Sequence, residues 1–186
     1  MSTSRTLSTP STLSTLLLLL LPLPVRATVL VPADLRDLSR EARTIARGVV
    51  VAVEPRWLDD RRAIETLVTL QAADYLKGPL GPTVQFRVPG GHVGRLRSIT
   101  VGAPTFAVGD HVVVFLAVRG PQVPDIVGLN QGLYRVARAN NAWSVVPQPV
   151  TPGSSAGPVA RGDSARRPMA LAEFERRVRS LVSANR

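Results

Sequence analysis

Between residues 48 and 146 the chain is cut into short β-branched or apolar runs by Gly, Pro and Asn-Asn punctuation, and a chain divided in this way folds as strands and turns. Val49-Val50-Val51-Ala52-Val53 is nearly continuous, as for a strand covered on both faces. Pro55 and the Asp59-Asp60-Arg61-Arg62 cluster then turn the chain. Ile64, Thr66, Val68, Leu70 and Ala72 alternate along a long second strand ending at Lys77-Gly78-Pro79. Residues 83–88 have the clearest period of two, with Val84, Phe86 and Val88 inward and Gln85 and Arg87 outward, closed by Pro89-Gly90-Gly91. Residues 111–118 read as a fourth, strongly apolar strand entered through Gly109-Asp110. A fifth comprises 126–128 and 133–137, interrupted by Asn130-Gln131-Gly132, and Asn140-Asn141 is a hairpin turn into 143–146. Phe86 and Phe115 are expected in the core. Five or six strands, one long enough to bend, predict a mainly β fold: a small closed five- to six-stranded OB-like barrel.

Helical patterns flank the strand region. Residues 28–47 begin with a short extended Val-Leu-Val-Pro stretch and continue as an N-terminal helix. Pro32 suits its first turn, Asp34 and Asp37 its positive end, and Leu35, Leu38, Ala42 and Ile45 its apolar spacing. Residues 147–168 form a Pro/Gly/Ser/Arg-rich linker. A C-terminal amphipathic helix occupies 169–186, with Leu171, Phe174, Val178, Leu181 and Val182 on one face and Glu173, Glu175, Arg176, Arg177 and Arg179 on the other.

The first 27 residues read as a leader. Arg5 is the only charge before the apolar run 13–23, which holds six consecutive leucines, and Pro22 and Pro24 break any helix. That run is shorter than the roughly 20 residues a bilayer demands, so a cleaved signal peptide is preferred to a retained anchor. Val25 and Ala27 place cleavage between Ala27 and Thr28. Removal of 27 of 186 residues leaves 159, and loss of Arg5 and Arg26 takes the formal charge from +10 to +8. The expected location is therefore secreted or periplasmic, and the organisation is 1–27 leader, 28–146 helix plus barrel, 147–168 linker and 169–186 helix. A chain with no cysteine has no disulfide staple, thiol nucleophile or Cys-ligated metal, so an exported form draws its stability from its core. All but one of its 23 basic residues are arginine.

Several segments together carry a resemblance. They are the start Ile45-Ala46 to Val51, Tyr75-Leu76-Lys77-Gly78, Val88-Pro89-Gly90-Gly91 to Gly94, Val101-Gly102-Ala103-Pro104 to Gly109, Val114-Phe115-Leu116, and Gly128-Leu129 to Gly132. Over residues 31–136 these resemble a family of exported bacterial OB-like proteins of uncharacterised activity. The order of helix, strand and long strand ending in Leu-Lys-Gly is also similar, at the level of architecture, to the netrin-like domain of tissue inhibitors of metalloproteinases. In those inhibitors a disulfide-held N-terminal cysteine chelates the protease zinc. This chain has no cysteine, so that residue is not carried over. What the resemblance leaves is a mature end, Thr28-Val29-Leu30-Val31-Pro32, whose free amine can act similarly.

Sites with catalytic or metal chemistry are not expected. Gly153-Ser154-Ser155-Ala156-Gly157 matches a nucleophile-elbow pattern, but it sits in the linker and both histidines lie upstream of it. Arg161-Gly162-Asp163 is read as a chance tripeptide of an arginine-rich linker. His92 and His111 have no second ligand at metal spacing, and Asp59 and Asp60 beside Arg61 and Arg62 read as a solvated turn. Gly90-Gly91-His92-Val93-Gly94 lacks the Lys-Ser/Thr of a phosphate loop and reads as a tight turn. No cofactor is implied.

The expected function is thus a non-catalytic exported binding module engaging another extracytoplasmic protein, a protease among the candidates. The alternative is electrostatic binding of polyanions or the envelope surface through basic loops, with nucleic acid disfavoured by an aromatic content of 4%. A second alternative is a cryptic enzyme. Loops on a rigid scaffold carry recognition, and Trp and Arg dominate interface energetics, so the expected contact residues are Trp57, Arg61, Arg95 and Arg97. The competing reading has Trp57 cover the barrel end and leaves the arginines solvated.

Overall fold

The structure, a computed structural model, describes residues 33–58, 62–118, 122–139, 141–148 and 166–185. The leader with its Ala27/Thr28 junction, Asp59, Asp60 and Arg61, the Gly153–Gly157 pattern and the Arg161-Gly162-Asp163 tripeptide lie outside the described residues.

The fold is mainly β with two helices. Helix α1 (Leu35–Glu41) is followed by β1 (Thr44–Trp57), β2 (Ile64–Lys77), β3 (Thr83–Pro89), a small hairpin β4 (Gly91–Val93) and β5 (Leu96–Ser98), then β6 (His111–Ala117) and β7 (Asp125–Ile126). A 3-10 turn at Leu129–Gly132 leads to β8 (Leu133–Ala139), β9 (Ala142–Pro147), β10 (Met169–Ala170) and α2 (Leu171–Ala184). Strand β1 pairs with β2 along its length, and its first half pairs with β6 on the other side. Strand β3 continues the sheet from β2 and meets β7 in parallel at Arg87↔Asp125, and β7 returns to β6. Five strands, β1-β2-β3-β7-β6, therefore form a hydrogen-bonded ring, with β8, β9 and β10 extending the sheet beyond β6.

The narrowest seam of the ring is β3 to β7. Its single bridge is Arg87↔Asp125, where Arg87 N donates to Pro124 O at 2.8 Å. The Arg87 guanidinium reinforces it with two bonds to the Asp125 carboxylate, at 2.9 and 3.0 Å. The bidentate pairing raises the Arg87 pKa above its ordinary value.

Two apolar cores follow from the alternation of the strands. Val50, Val68, Leu70, Val84, Phe86, Val88, Val112, Val114 and Leu116 form one, within the ring. The opposite face of β6 turns Val113 and Phe115 into the other, shared with α1, β8, β9 and α2. Strand β6 is thus buried on both faces, which accounts for its unbroken apolar run. Phe86 and Phe115 are both fully buried, one in each core.

Three expectations are corrected. The N-terminal helix stops at Glu41, not at residue 47, because Thr44, Ile45 and the valines beyond Gly48 are drawn into the sheet. Leu35, Leu38, Ala42 and Ile45 still share one core, reached by helix and then by strand. Pro55 does not turn the chain: it lies opposite Thr66, and β1 runs on through it to Trp57. The β6 pairing ends at Val49, so Pro55 sits where β1 has a ladder on one side only and its missing N–H is tolerated. Val49–Val53 is not covered on both faces either, since Val51, unpaired at a register shift between Val50 and Ala52, is 42% exposed.

Lys77, the single lysine, donates from Nζ to the carbonyls of Ser39 and Ala42 and so satisfies the C-terminal end of α1. Burial, with a smaller contribution from the Arg43 charge, lowers its pKa. The chain re-enters the sheet at β10, beside β9, before α2 begins. Phe174 and Val178 are buried against Phe115 and Tyr134, with Phe174 and Tyr134 ring centroids 4.8 Å apart. Ion pairs from Arg47 to Glu175 and from Arg179 to Asp74 tie the helix to β1 and β2. The half-exposed Arg179–Asp74 pair contributes at most about 1 kcal/mol, and the apolar face of α2 carries most of its attachment. Among the described residues no helix is long and apolar enough to cross a membrane.

Candidate partner-binding face

The connection from β3 to β6, residues 90–110, is built on close backbone approaches. A Cβ on Gly90 would lie 2.8 Å from the Ser98 carbonyl oxygen, and one on Gly91 would lie 2.6 Å from Thr66 Oγ1; both residues have positive φ. These contacts require glycine and let the chain fold back as the β4–β5 hairpin. The hairpin is fastened to β2 by Gly90 N donating to the Ile64 carbonyl at 2.9 Å and Thr66 Oγ1 donating to the Gly90 carbonyl at 2.7 Å. Its loop is Gly94-Arg95, with positive φ at the first position, as in a type II′ turn. The expected positive φ is present at Gly90, Gly91 and Gly94, but the tight turn itself is Gly94-Arg95 and residues 91–93 are a strand.

Beyond the hairpin the segment is pinned at intervals. Gly102 O accepts from Asn130 N at 3.0 Å, Pro104 is buried, and the Phe106 ring stands edge-on to Phe86 with centroids 5.4 Å apart. The Asp110 carboxylate accepts from Ala107 N at 2.8 Å and from Arg135 at 2.6 Å, while Arg135 also donates to the Thr105 carbonyl at 2.7 Å. With those points fixed, four large apolar side chains face water: Leu96 (58% exposed), Ile99 (72%), Val101 (73%) and Val108 (67%). Singly exposed apolar residues are ordinary; four within 13 positions of one anchored segment make that segment a candidate for interaction. Beside it lies a cleft of about 280 Å³ between Val53, Pro55 and Thr66 on one side and Arg97, Ile99 and Phe106 on the other.

The expected contact residues divide as follows. Arg95 and Arg97 are both exposed, Arg95 in the hairpin loop and Arg97 on β5 opposite His92 and at the cleft. Trp57 is half-buried at the end of β1, paired with Ile64, the residue to which the foot of the hairpin is bonded. The fold thus puts Trp57 and the two arginines at one end of the β1–β2 ladder. Arg61 lies outside the described residues. Arg56, on β1, donates from two nitrogens to Glu65 at 2.9 and 2.7 Å.

Ile99, Val101 and Val108 were not among the expected contacts, because apolar residues read by default as core. The signal was present in the spacing: Gly102, Pro104 and Gly109 interrupt the run too often for either period to carry all three side chains inward.

His111 begins β6 and lies against Trp143, with ring centroids 5.6 Å apart, while exposed His92 sits on β4. Among the described residues no group of three or more His, Asp or Glu stands together as a metal site would require. Comparison with protein-family models, with curated proteins and with solved structures gives no match.

Proposed function

We propose that the chain is an exported, non-catalytic binding module that engages another extracytoplasmic protein, with a protease among the candidate partners. The five-strand ring is read as an OB-like barrel, supported by its order β1-β2-β3-β7-β6, by β1 shared between β2 and β6, and by the parallel β3–β7 pairing. In barrels of that kind the first loop and neighbouring strand ends serve recognition. The observation that carries the proposal is the set of four exposed apolar side chains on a backbone pinned by Phe106, Pro104 and Asp110. A preorganised apolar patch binds without first ordering a loop, and Arg95, Arg97 and Trp57 supply its rim.

The double variant Ile99→Asp/Val101→Asp tests this. Both side chains are exposed, so the melting temperature should stay within a few degrees, while affinity for a partner captured from the secreted fraction should fall at least tenfold, or about 1.4 kcal/mol. Unchanged affinity would remove the patch from the interface. N-terminal sequencing of secreted material should begin at Thr28; a start at Met1 would contradict export by cleavage.

The second reading, electrostatic binding of polyanions or the envelope surface, draws on the exposed Arg95 and Arg97 and a charge of +8 after cleavage. It predicts that binding weakens by orders of magnitude between about 50 and 200 mM salt, as phosphate-dominated contacts do. Binding to a protein partner through the apolar patch should change far less.

A further inference from the structure

A second pocket, of about 190 Å³, lies between α1, α2 and the chain entering β10. Its apolar wall is built from Leu35, Tyr134, Phe174 and Leu181. On α2, Phe174, Arg177 and Leu181 follow one another at i, i+3 and i+7, so a guanidinium is set between two apolar side chains on one stripe.

The pocket's charge is one-sided. Arg36, Arg166, Arg167 and Arg177 line it, against the single carboxylate of Asp34. That carboxylate is already engaged as the N-cap of α1, accepting from Asp37 N at 2.7 Å. Arg36, Arg167 and Arg177 are exposed and form no ion pair among the described residues. Arg166 is held in place: Nη2 donates to the Gln131 carbonyl at 3.0 Å, and its guanidinium carbon lies 5.1 Å from the centroid of the Tyr134 ring. Its Nη1 is buried and has no hydrogen-bond partner among the described residues. A buried donor left unmade is unfavourable, and so is the mutual repulsion of four cations beside an apolar wall. An oxyanion relieves both, because a guanidinium presents paired donors that match carboxylate or phosphate oxygens.

We propose that this pocket binds a small oxyanion, a phosphate monoester or a carboxylate, carried on an apolar body about the size of one aromatic ring. Size sets the body: a cavity of about 150 Å³ is enough to take up benzene. The arginines grip the anion, and Tyr134, Phe174 and Leu181 receive the ring. This site uses no residue of the β4–β5 face, so it stands or falls independently of the partner proposed there.

Calorimetric titration of the protein with phenyl phosphate, benzoate and inorganic phosphate tests the assignment. Phenyl phosphate should bind saturably, and inorganic phosphate, lacking the ring, about tenfold or more weakly. Arg36→Gln and Arg177→Gln should each weaken phenyl phosphate binding by about tenfold, the loss of a charge-assisted hydrogen bond. Because both side chains are exposed, melting curves should be unaltered, which separates lost binding from lost folding. The proposal is overturned by absence of saturable binding of both aryl ligands up to about 5 mM, a concentration that would detect even millimolar affinity. It is equally overturned if inorganic phosphate binds as tightly as phenyl phosphate, or if both variants bind like the unmodified protein.

Discussion

Phe115→Ala is expected to lower stability by roughly 3–5 kcal/mol, the cost of emptying a fully buried aromatic site. Phe115 is wholly inaccessible on β6 and meets Tyr134 at 5.7 Å and Phe174 at 6.4 Å between ring centroids. Truncation therefore removes the surface on which α2 packs as well as the buried ring itself. The neighbours cannot collapse into the space without shifting β6, whose other face is locked in the ring core by Val114 and Leu116. For a folded unit of this size such a loss corresponds to a fall in melting temperature of roughly 10–20 °C. Phe86→Ala should cost a similar amount from within the ring and additionally free Phe106, loosening the 90–110 connection. Thermal denaturation of both variants measures this; near-zero destabilisation at both positions would contradict the two-core arrangement.

Gly48→Ala should be the most damaging single methyl addition in the described strands. A Cβ at Gly48 would lie 2.0 Å from the Gln71 carbonyl oxygen and 3.1 Å from the Ala72 Cα, both backbone atoms of β2. The clash cannot be relieved by a side-chain rotation. At this point β1 is paired on both sides, with Ala72 of β2 and Val112 of β6, so retreat from one ladder breaks the other. The expected cost is at or beyond the ~3 kcal/mol upper end of ordinary overpacking. Chemical denaturation should show a lowered midpoint; a stability equal to that of the unmodified protein would mean that β1 is not held between its two partners.

Those two positions also mark how much could be read beforehand. The inward set Val84, Phe86, Val88 and the apolar run of β6 were legible because their periods of two and one match a strand covered on one face and on both. The hairpin expected at Asn140-Asn141 was legible to the extent that β8 and β9 pair from Ala139↔Ala142 onward; Asn140 itself lies outside the described residues. The end of α1 was not legible: Ala42 and Ile45 satisfy helical spacing, and only the competing β1 ladder, which pairs Ile45 with residues far along the chain, decides against it. Pro55 misled for a related reason, since a proline at an unpaired strand edge resembles a turn proline in sequence. The β4–β5 hairpin has three-residue strands, too short for any period to register. The apolar stripe of α2 was visible, but nothing in a stripe says that Phe115 and Tyr134 are what it covers. At the candidate site the basic rim, Arg95 and Arg97, was found from residue type. The exposed Leu96–Val108 patch was missed, because exposure there results from the tertiary anchors Phe106 and Asp110.

The central claim, recognition through the 90–110 connection, is tested most directly by site-specific photo-crosslinking. A photoreactive side chain is placed in turn at Ile99, at Val101 and, as a control between β2 and β3, at Leu80; all three positions are exposed. After irradiation in the secreted fraction, a discrete crosslinked protein should appear from Ile99 and Val101 and be absent from Leu80. A partner captured from Leu80 but from neither Ile99 nor Val101 would contradict the account.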